Sequence, residues 1–211
     1  MHQGHPRQPD DPEIVLVERE GEVTLMIDGD QAMQAWEREL MCISSDLLCQ
    51  FGSLFLEVGL GLGISALRIA GNPRTRRHVV IEKYRKVIDL FLEHNSSPPA
   101  TLEIVHADFF DYLRDLKTES FDGIFFDPHL PKELREDENL WQEVVPQLVR
   151  ILRRGGALIP CFSSYPVLRW QFVPFFDRIV VDKVSFDAYR TTNYMAHNSG
   201  DAFIQQFIKM R

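Results

Sequence analysis

The sequence predicts an α/β fold whose core is a doubly wound, mostly parallel, seven-stranded sheet with an antiparallel hairpin at its C-terminal edge. Between residues 53 and 162, short apolar runs alternate with segments of helical periodicity, which is the pattern of a parallel sheet with helices on both faces. Two further apolar runs, 178–186 and 201–210, have no helix between them and predict the hairpin. The 211 residues, 45% of them hydrophobic, suit one globular domain.

The first part of the chain predicts a smaller unit in front of this sheet. Two strands, 13–18 and 22–27, are separated by the turn sequence REGE. A helix is predicted over 31–50, where apolar residues fall near one face, and Gly52 ends it. We expect the segment 13–50, which combines these elements, to cover the ligand site.

In the central region, each predicted strand is followed by a predicted helix. Most of these helices end at a glycine, asparagine or proline. The predicted strands are 53–58, 77–82, 101–107, 121–127 and 156–162, and the predicted helices are 63–70, 83–95, 109–116 and 138–154. Pro146 is expected to kink the last helix, and Gly155 with Gly156 is expected to end it.

Three glycines, Gly59, Gly61 and Gly63, follow the first central strand. Backbone N–H groups are unpaired where a helix begins, and glycine lets a ligand approach the backbone closely. The spacing departs from the dinucleotide fingerprint, because Ile64 stands where the last glycine of that pattern is expected. A tight turn that binds no ligand is the alternative interpretation.

Acidic residues stand at the ends of neighbouring strands: Glu57, Glu82, Asp108 and Asp127. Because the carboxyl ends of parallel strands meet at one edge, these residues are expected along the crevice where open α/β sheets bind ligands. Glu82 could accept hydrogen bonds from both hydroxyl groups of a ribose. Asp108 could bind an exocyclic amine, although a helix-capping role is an equally simple explanation for it.

Taken together, these motifs resemble those of a known family. The segments LEVGLGLG, VVIEKY, VHADFFD, FDGIFFDP and LRRGGALI look like the successive motifs of class I S-adenosylmethionine-dependent methyltransferases, from about residue 53 to the end of the chain. The resemblance implies a Rossmann-like methyltransferase fold, S-adenosylmethionine as cofactor and S-adenosylhomocysteine as product. It implies that Glu57 and the glycines face the amino-acid part of the cofactor, Glu82 its ribose, and Asp108 with Phe109 its adenine.

A narrower resemblance lies upstream, in MQAWERELM (33–41). This segment is similar to the one that precedes the glycine loop in the guanidinoacetate N-methyltransferase family and its arginine-methylating relatives. In that family the matching methionines line the cofactor site, and the matching Glu and the Asp of the fourth strand hold a guanidino group. The residues that the two resemblances imply for the cofactor are Met33, Trp36, Met41, Glu57, Gly59, Gly61, Gly63, Glu82, Lys83, Asp108, Phe109 and Asp127.

For the reaction, the resemblance implies Asp127 and Glu37 as catalytic residues. If 31–50 is a helix, Met33, Glu37 and Met41 share one face of it and reach the site together. The alternatives are core packing for Met33, Met41 and Trp36 and a solvated charge for Glu37. His129 is a third candidate and could act as a base, with a surface or capping role as the alternative. The family has a Thr-Tyr pair where this chain has Pro128 and His129, which leaves the acceptor open.

The predicted chemistry is methyl transfer to a small guanidino or amino compound. A guanidinium is protonated at neutral pH, since its pKa is above about 12. Two carboxylates can hold its planar fork and take up the proton that transfer releases. An aminopropyltransferase of the spermidine synthase type and a non-catalytic cofactor-binding relative are the alternatives.

Composition and charge restrict the possible partners, metal sites and membrane segments. The net charge of −8 disfavours nucleic acid and anionic membranes as partners. The three cysteines and seven histidines form no metal motif, and no apolar run has the roughly 20 residues of a membrane helix. Residues 1–12 are expected to be a flexible tail, which leaves 13–211 as a single domain in a cytoplasmic protein. A homodimer is one open alternative for its assembly. Either this tail or the loop 187–200, with Gly200 as a hinge, could be a lid.

Overall fold

The computed structural model describes residues 12–210, so the predicted tail lies, except for Pro12, outside the described residues. The strands are β1 Ile14–Arg19, β2 Glu22–Ile27, β3 Asp30–Gln34, β4 Leu54–Val58, β5 Arg77–Glu82, β6 Leu102–His106, β7 Phe121–Phe126, β8 Leu152–Pro160, β9 Arg178–Asp187 and β10 Ser199–Ile208. The α-helices are α1 Arg38–Leu48, α2 Ile64–Ala70, α3 Arg85–His94, α4 Phe109–Asp115, α5 Lys132–Glu136 and α6 Glu138–Ile151.

The large sheet has seven strands in the order β6-β5-β4-β7-β8-β10-β9. Strands β4 to β8 pair in parallel, whereas β10 runs antiparallel to both β8 and β9. This topology confirms the predicted mostly parallel sheet and its antiparallel edge hairpin. After β4 the chain builds β5 and β6 on one side and then returns to place β7 on the other. A crevice for a ligand therefore opens at the carboxyl ends of β4 and β7.

Side chains that alternate along the central strands supply a separate core on each face of the sheet. In β7, Phe125 packs into the core formed with α1, α2 and α3, whereas Ile124 and Phe126 pack into the core formed with α4 and α6. In β4, Phe55 and Leu56 divide in the same way, and both are fully buried. Burial on both faces explains why the central strands are continuous apolar runs.

The N-terminal unit differs from its prediction. It is a three-stranded antiparallel sheet, β1-β2-β3, because residues 30–34 extend a hairpin instead of starting a helix. Asp28 and Gly29 have φ values of 50° and 83°, and Ile27 pairs with Asp30 across them. Asp-Gly at the two central positions is typical of a tight hairpin turn that the twist of two strands favours. The predicted helix therefore begins only at α1, after a short 3-10 turn at Ala35–Glu37.

The end of the long helix also differs from its prediction. Helix α6 runs through Pro146 without interruption and ends at Ile151, and the glycine pair expected to end it lies inside β8. Gly155 has a φ of 79°, and the register between β7 and β8 shifts at this point. The glycines thus accommodate a bulge in a strand rather than the end of a helix. Gly200, predicted as a hinge, pairs with Phe186 inside the β9–β10 ladder.

Within the described residues, no helix is long and apolar enough to cross a membrane.

Candidate active site

A cavity of about 350 Å³ lies at the carboxyl ends of β4, β5, β6 and β7. Its walls come from the glycine loop after β4, the ends of β5 and β7, the start of α4 and two methionines of the N-terminal unit. The predicted site residues that line it are Met33, Met41, Gly59, Gly61, Glu82, Lys83, Asp108, Phe109, Asp127 and His129. Its volume falls in the range that small-molecule sites usually have.

The glycine loop brings the ends of β4 and β7 close together. Gly59 has a φ of +90°, and a Cβ atom added there would lie 2.4 Å from the carbonyl oxygen of Asp127. Its amide also donates a hydrogen bond to the carbonyl of Ile81 on β5. A side chain at this position would therefore push Asp127 away from the cavity wall.

We expect Gly59→Ala to destabilise the fold and to weaken the binding of S-adenosylhomocysteine. Gly155→Ala is a matched control, because Gly155 has a similar φ of +79° but no atom within 4 Å of an added Cβ. The control should lose about 1 kcal/mol of unfolding free energy from backbone strain alone, and Gly59→Ala roughly 1–3 kcal/mol more from the clash. Chemical denaturation and calorimetry measure the two effects. Equal losses in both variants would show that the close approach has no energetic importance.

Glu82 joins the glycine loop to the end of β5. Its two carboxylate oxygens accept hydrogen bonds from the amides of Leu60 and Tyr84, at 2.9 and 2.8 Å. Burial raises the pKa of Glu82, and these backbone hydrogen bonds offset part of that rise. The carboxylate is therefore held in one orientation at the cavity wall.

Asp108 caps a helix and also lies at the cavity wall, so the predicted capping role is confirmed and the amine-binding role stays a prediction. Its carboxylate accepts a hydrogen bond from the amide of Phe110 and so caps α4, and it also lines the cavity. Lys83 lies 3.0 Å from its second oxygen, and this hydrogen bond raises the pKa of Lys83. The side chain of Phe109 is buried beside them and forms part of the cavity wall.

Met33 and Met41 line the cavity from two different elements, whereas one helix had been predicted to carry both. Met33 belongs to β3 and pairs with Leu25, Glu37 lies in the 3-10 turn, and Met41 lies on α1. Met33, Glu37 and Met41 therefore do not share a helix face, and that prediction is wrong. Both methionines nevertheless line the cavity, and the Met33 sulfur accepts a hydrogen bond from the amide of Leu62 in the glycine loop.

Three residues predicted to bind the cofactor, Trp36, Glu57 and Gly63, do not line the cavity. Trp36 packs in an aromatic cluster with Phe162, Phe186 and Tyr194. Glu57 is fully buried, accepts a hydrogen bond from the Ser65 hydroxyl and lies 3.0 Å from Nε2 of His78. Gly63 is the N-cap residue of α2.

Glu37 is buried beneath the segment 187–200. Its Oε1 accepts hydrogen bonds from the amide of Gln34, at 2.8 Å, and from the hydroxyl of Tyr194, at 2.7 Å. Burial raises the pKa of Glu37, and both hydrogen bonds work against that rise. Hydrogen bonds between residues 191–193 and the side chains of Gln31 and Gln34 also hold the segment 187–200 against β3. Glu37 is therefore neither solvated nor free to rotate.

Asp127 follows β7 and has the most strongly perturbed carboxylate of the cavity. Burial raises its pKa to about 7, and the negative charges of Glu37 and Glu57 add to the effect. A hydrogen bond from the thiol of Cys161 and the positive charge of Arg169 act in the opposite direction. Glu37 does not itself line the cavity, but its charge acts on half-buried Asp127, and like charges of this kind favour protonation of one of the two acids.

His129 is exposed at the mouth of the cavity. Partial burial and the nearby charge of Arg135 lower its pKa. A neutral imidazole at this position could exchange protons with solvent, and its role as a base stays a prediction.

We expect Tyr194→Phe to loosen the segment 187–200 and to raise the KM for the acceptor. The variant removes one hydrogen bond to a buried carboxylate, which corresponds to roughly a 3- to 10-fold change. Hydrogen exchange of the segment and steady-state kinetics measure the two effects. Tyr189→Phe is the control in the same segment. Unchanged exchange and unchanged KM in Tyr194→Phe would mean that this hydrogen bond does not hold Glu37 in place.

The sequence did not identify Tyr194, Cys161 or Arg169 as site residues. Each belongs to a segment remote in sequence from the residue that it affects. The only sequence signal was the length of the loop 187–200, which was interpreted as a candidate lid.

Comparisons with known proteins agree with this geometry. Residues 15–205 match the family model described as guanidinoacetate N-methyltransferase. Among solved structures, spermidine synthase from Thermotoga maritima has a TM-score of 0.72 at 16% identity, over 97% of this chain and 72% of that one. A spermidine synthase in complex with the transition state analogue AdoDATO has a TM-score of 0.69 at 14% identity, over 97% of this chain and 73% of that one. N-methyltransferase NodS from Bradyrhizobium japonicum WM9 has a TM-score of 0.59 at 16% identity, over 82% of this chain and 97% of that one. At these identities the structural likenesses show a shared fold.

Proposed function

The chain belongs to the guanidinoacetate N-methyltransferase family, and from this premise we propose that it transfers a methyl group from S-adenosylmethionine to a nitrogen of a small guanidino or amino compound. Membership of the family makes it an S-adenosylmethionine-dependent methyltransferase. The acceptor and the role of each residue are the proposal. A cytoplasmic location and a homodimeric assembly stay predictions from the sequence.

The cavity fits the cofactor. One part of its wall carries the carboxylates of Glu82 and Asp108, which suit hydroxyl and amine groups, and Phe109 supplies an apolar surface for a base. Met33 and Met41 add a polarisable surface without a positive charge. We propose that these residues hold S-adenosylmethionine, and that the Glu82 carboxylate faces its ribose.

The observation that carries the acceptor proposal is the electrostatic interaction between buried Glu37 and half-buried Asp127, which lines the cavity. Desolvation is the main cause of the raised pKa of Asp127, and repulsion by the negative charge of Glu37 adds to it. A cationic guanidino or amino group between them would relieve this repulsion and would be held by charge-assisted hydrogen bonds. A neutral acceptor would leave the repulsion in place.

When bound, S-adenosylmethionine supplies a methyl group activated by a positively charged sulfur. The protein's task is then to align the acceptor nitrogen with that methyl group and to exclude water. Glu37, fixed by Gln34 and Tyr194, orients the acceptor. Asp127, with a pKa of about 7, is suited to accept the proton that the nitrogen loses.

The proposal is tested with labelled S-adenosylmethionine and a panel of acceptors: guanidinoacetate, arginine, simple amines and a hydroxyl-bearing control. We expect transfer to nitrogen acceptors that are cationic in solution. Transfer to none of the nitrogen compounds, by protein that binds S-adenosylhomocysteine, would contradict it. A parallel reaction with decarboxylated S-adenosylmethionine and putrescine tests the aminopropyl-transfer alternative.

A further inference from the structure

Strand β9 is an edge of the large sheet. Every residue of Arg178–Asp187 is paired with β10, in an antiparallel register that has no bulge. On the other side of β9, no strand is paired with it in the part of the chain that the structure describes. A long, regular edge leaves backbone N–H and C=O groups open to a further strand, and proteins usually shorten, bend or cover such edges. Strand β9 therefore has the form of a pairing surface.

The segment between β8 and β9 adds an exposed apolar surface beside this edge. Gln205 of β10 fixes the segment, since its side chain donates to the carbonyl of Val167 and accepts from the amide of Arg169, both at 2.9 Å. Gln205 lies opposite Val181 in the ladder, so the two side chains share a face of the sheet and the surface reaches β9. The exposed apolar residues of this surface are Tyr165, Val167, Leu168, Trp170, Val173 and Val181. Groups of exposed apolar side chains of this kind mark interaction sites.

This apolar surface is almost free of charge. Between residues 163 and 176 the only charged residue is Arg169, and its guanidinium is turned inward, where Nη2 donates to the carbonyl oxygens of Cys161 and Phe162. An acidic or basic partner would find no opposite charge there. Two copies of this chain, each with a net charge of −8, can approach each other at such a neutral surface with the least repulsion.

The charges at the start of β9 are arranged so that the strand complements itself. In a symmetric antiparallel pair, a two-fold axis passes between one residue and the same residue of the other copy, and the remaining residues pair at equal distances on either side. With the axis at Val180, the pairs are Val180 with Val180, Val181 with Ile179, Asp182 with Arg178 and Lys183 with Asp177, one residue from each copy. Both charged pairs then have opposite signs, around an apolar centre.

The neighbouring symmetric registers lose this match. An axis at Asp182 or at Lys183 would place like charges directly opposite each other, which destabilises a strand pair. With the axis one residue to either side of Val180, Asp182 would face an apolar residue. The order of residues along the strand therefore favours the register that is centred on Val180.

We propose that two copies of this chain join their β9 strands antiparallel around a two-fold axis at Val180, so that one sheet continues across the dimer. An axis perpendicular to the sheet leaves each face on its own side, so the apolar surfaces beside Val181 of the two copies flank the junction on the same face. This inference concerns assembly and does not depend on the proposed function.

The inner charged pair should contribute more to the dimer than the outer one. Arg178 is exposed, and none of the ion pairs found among residues 12–210 contains Arg178 or Asp182. Lys183 of the outer pair already forms an ion pair with Asp201, at 3.1 Å. The most informative substitutions are therefore those at Arg178 and Asp182.

Sedimentation equilibrium of the wild-type chain, over a range of concentrations, should show a species with twice the 24.5 kDa mass of one chain. Arg178→Asp and Asp182→Arg each place like charges opposite each other, so each variant alone should have a dimer dissociation constant raised by roughly 10- to 100-fold. An equimolar mixture of the two should recover the dimer, because each variant supplies the charge that the other lacks. Arg77→Asp alters an arginine that is 53% exposed near the opposite edge of the sheet, and this control should dimerise like the wild type.

Hydrogen exchange of the wild type gives a second measurement that requires no variant to fold. The exchange of β9 amides should slow as the protein concentration rises, whereas that of β6, the strand at the opposite edge, should not change. A monomer at every concentration would overturn the inference and would leave the β9 edge for an extended segment of another protein. So would a dimer in which the exchange of β9 does not respond to concentration, or one that both charge reversals leave unchanged.

Discussion

Asp127→Asn should lower kcat by about 10²–10⁴-fold while leaving the affinity for S-adenosylhomocysteine nearly unchanged. The amide preserves the shape of the side chain at the end of β7, but it can neither accept the proton from the acceptor nor balance its positive charge. Single-turnover kinetics and calorimetry separate the two quantities. Asp111→Asn is the control, because Asp111 is 83% exposed on α4. An active Asp127→Asn variant would exclude Asp127 from the reaction.

The pH dependence of kcat/KM is an independent test of the role of Asp127. Because the pKa of Asp127 in the folded protein is about 7, kcat/KM should rise with pH through this value in the wild type. A guanidino acceptor such as the one we propose would stay charged well above that range and would not contribute to this limb. This limb of the profile should be absent from the residual activity of Asp127→Asn.

The free energies of unfolding of the wild type and of Asp127→Asn should also depend differently on pH. A carboxyl whose pKa is raised on folding stabilises the folded state below its unfolded value near 4, and this contribution is lost as the pH rises to about 7. Asp127→Asn should therefore be more stable than the wild type at pH 8, by about 2–4 kcal/mol, and the difference should disappear near pH 4. Denaturation at several pH values measures it.

Glu37→Gln should raise the KM for a cationic acceptor by roughly 10- to 100-fold. Glutamine can still accept the hydrogen bonds from Gln34 and Tyr194, so the turn and the segment 187–200 should keep their arrangement. Only the negative charge is lost. Since the charge of Glu37 raises the pKa of Asp127, the variant should also shift the acid limb of kcat/KM to lower pH. A purely structural role for Glu37 would not produce that shift.

Glu39→Gln is the control for this variant, because Glu39 is exposed two residues further along, in the first turn of α1. It should leave both KM and the pH profile unchanged. A Glu37→Gln variant with an unaltered pH profile and an unaltered KM would remove Glu37 from the acceptor site, even if Asp127 proved essential.

The fold was predictable where periodicity is unambiguous, and it was mispredicted where two patterns compete. The central strands are apolar on both faces, and their helices have one apolar face, so their order and the edge hairpin followed directly. Residues 31–34 fit both a helix and a strand, and the Asp28-Gly29 turn decides for the strand. The glycine pair 155–156 could equally end a helix or allow a bulge, and only the pairing of β8 with β7 distinguishes the two.

The edge of the sheet at which the site lies was predictable from the sequence, but the contacts between its residues were not. The acids at strand ends were expected to meet, and Glu82, Asp108 and Asp127 do line one cavity. Glu57 lies one residue before the end of β4, and the alternation of side chains along that strand directs it to Ser65 and His78. Contacts such as Tyr194 with Glu37 join positions 157 residues apart, and no local pattern encodes them.

The central claim is that Asp127 and Glu37 bind a cationic nitrogen acceptor beside the cofactor. Calorimetric titration of guanidinoacetate into protein saturated with S-adenosylhomocysteine, in buffers of different ionisation enthalpy at pH 7, tests it most directly. Binding to ionised Asp127 should release protons at pH 7 and not at pH 9, and Asp127→Asn should show neither the proton release nor the same affinity. Binding without proton release, with equal affinity in Asp127→Asn, would contradict the claim.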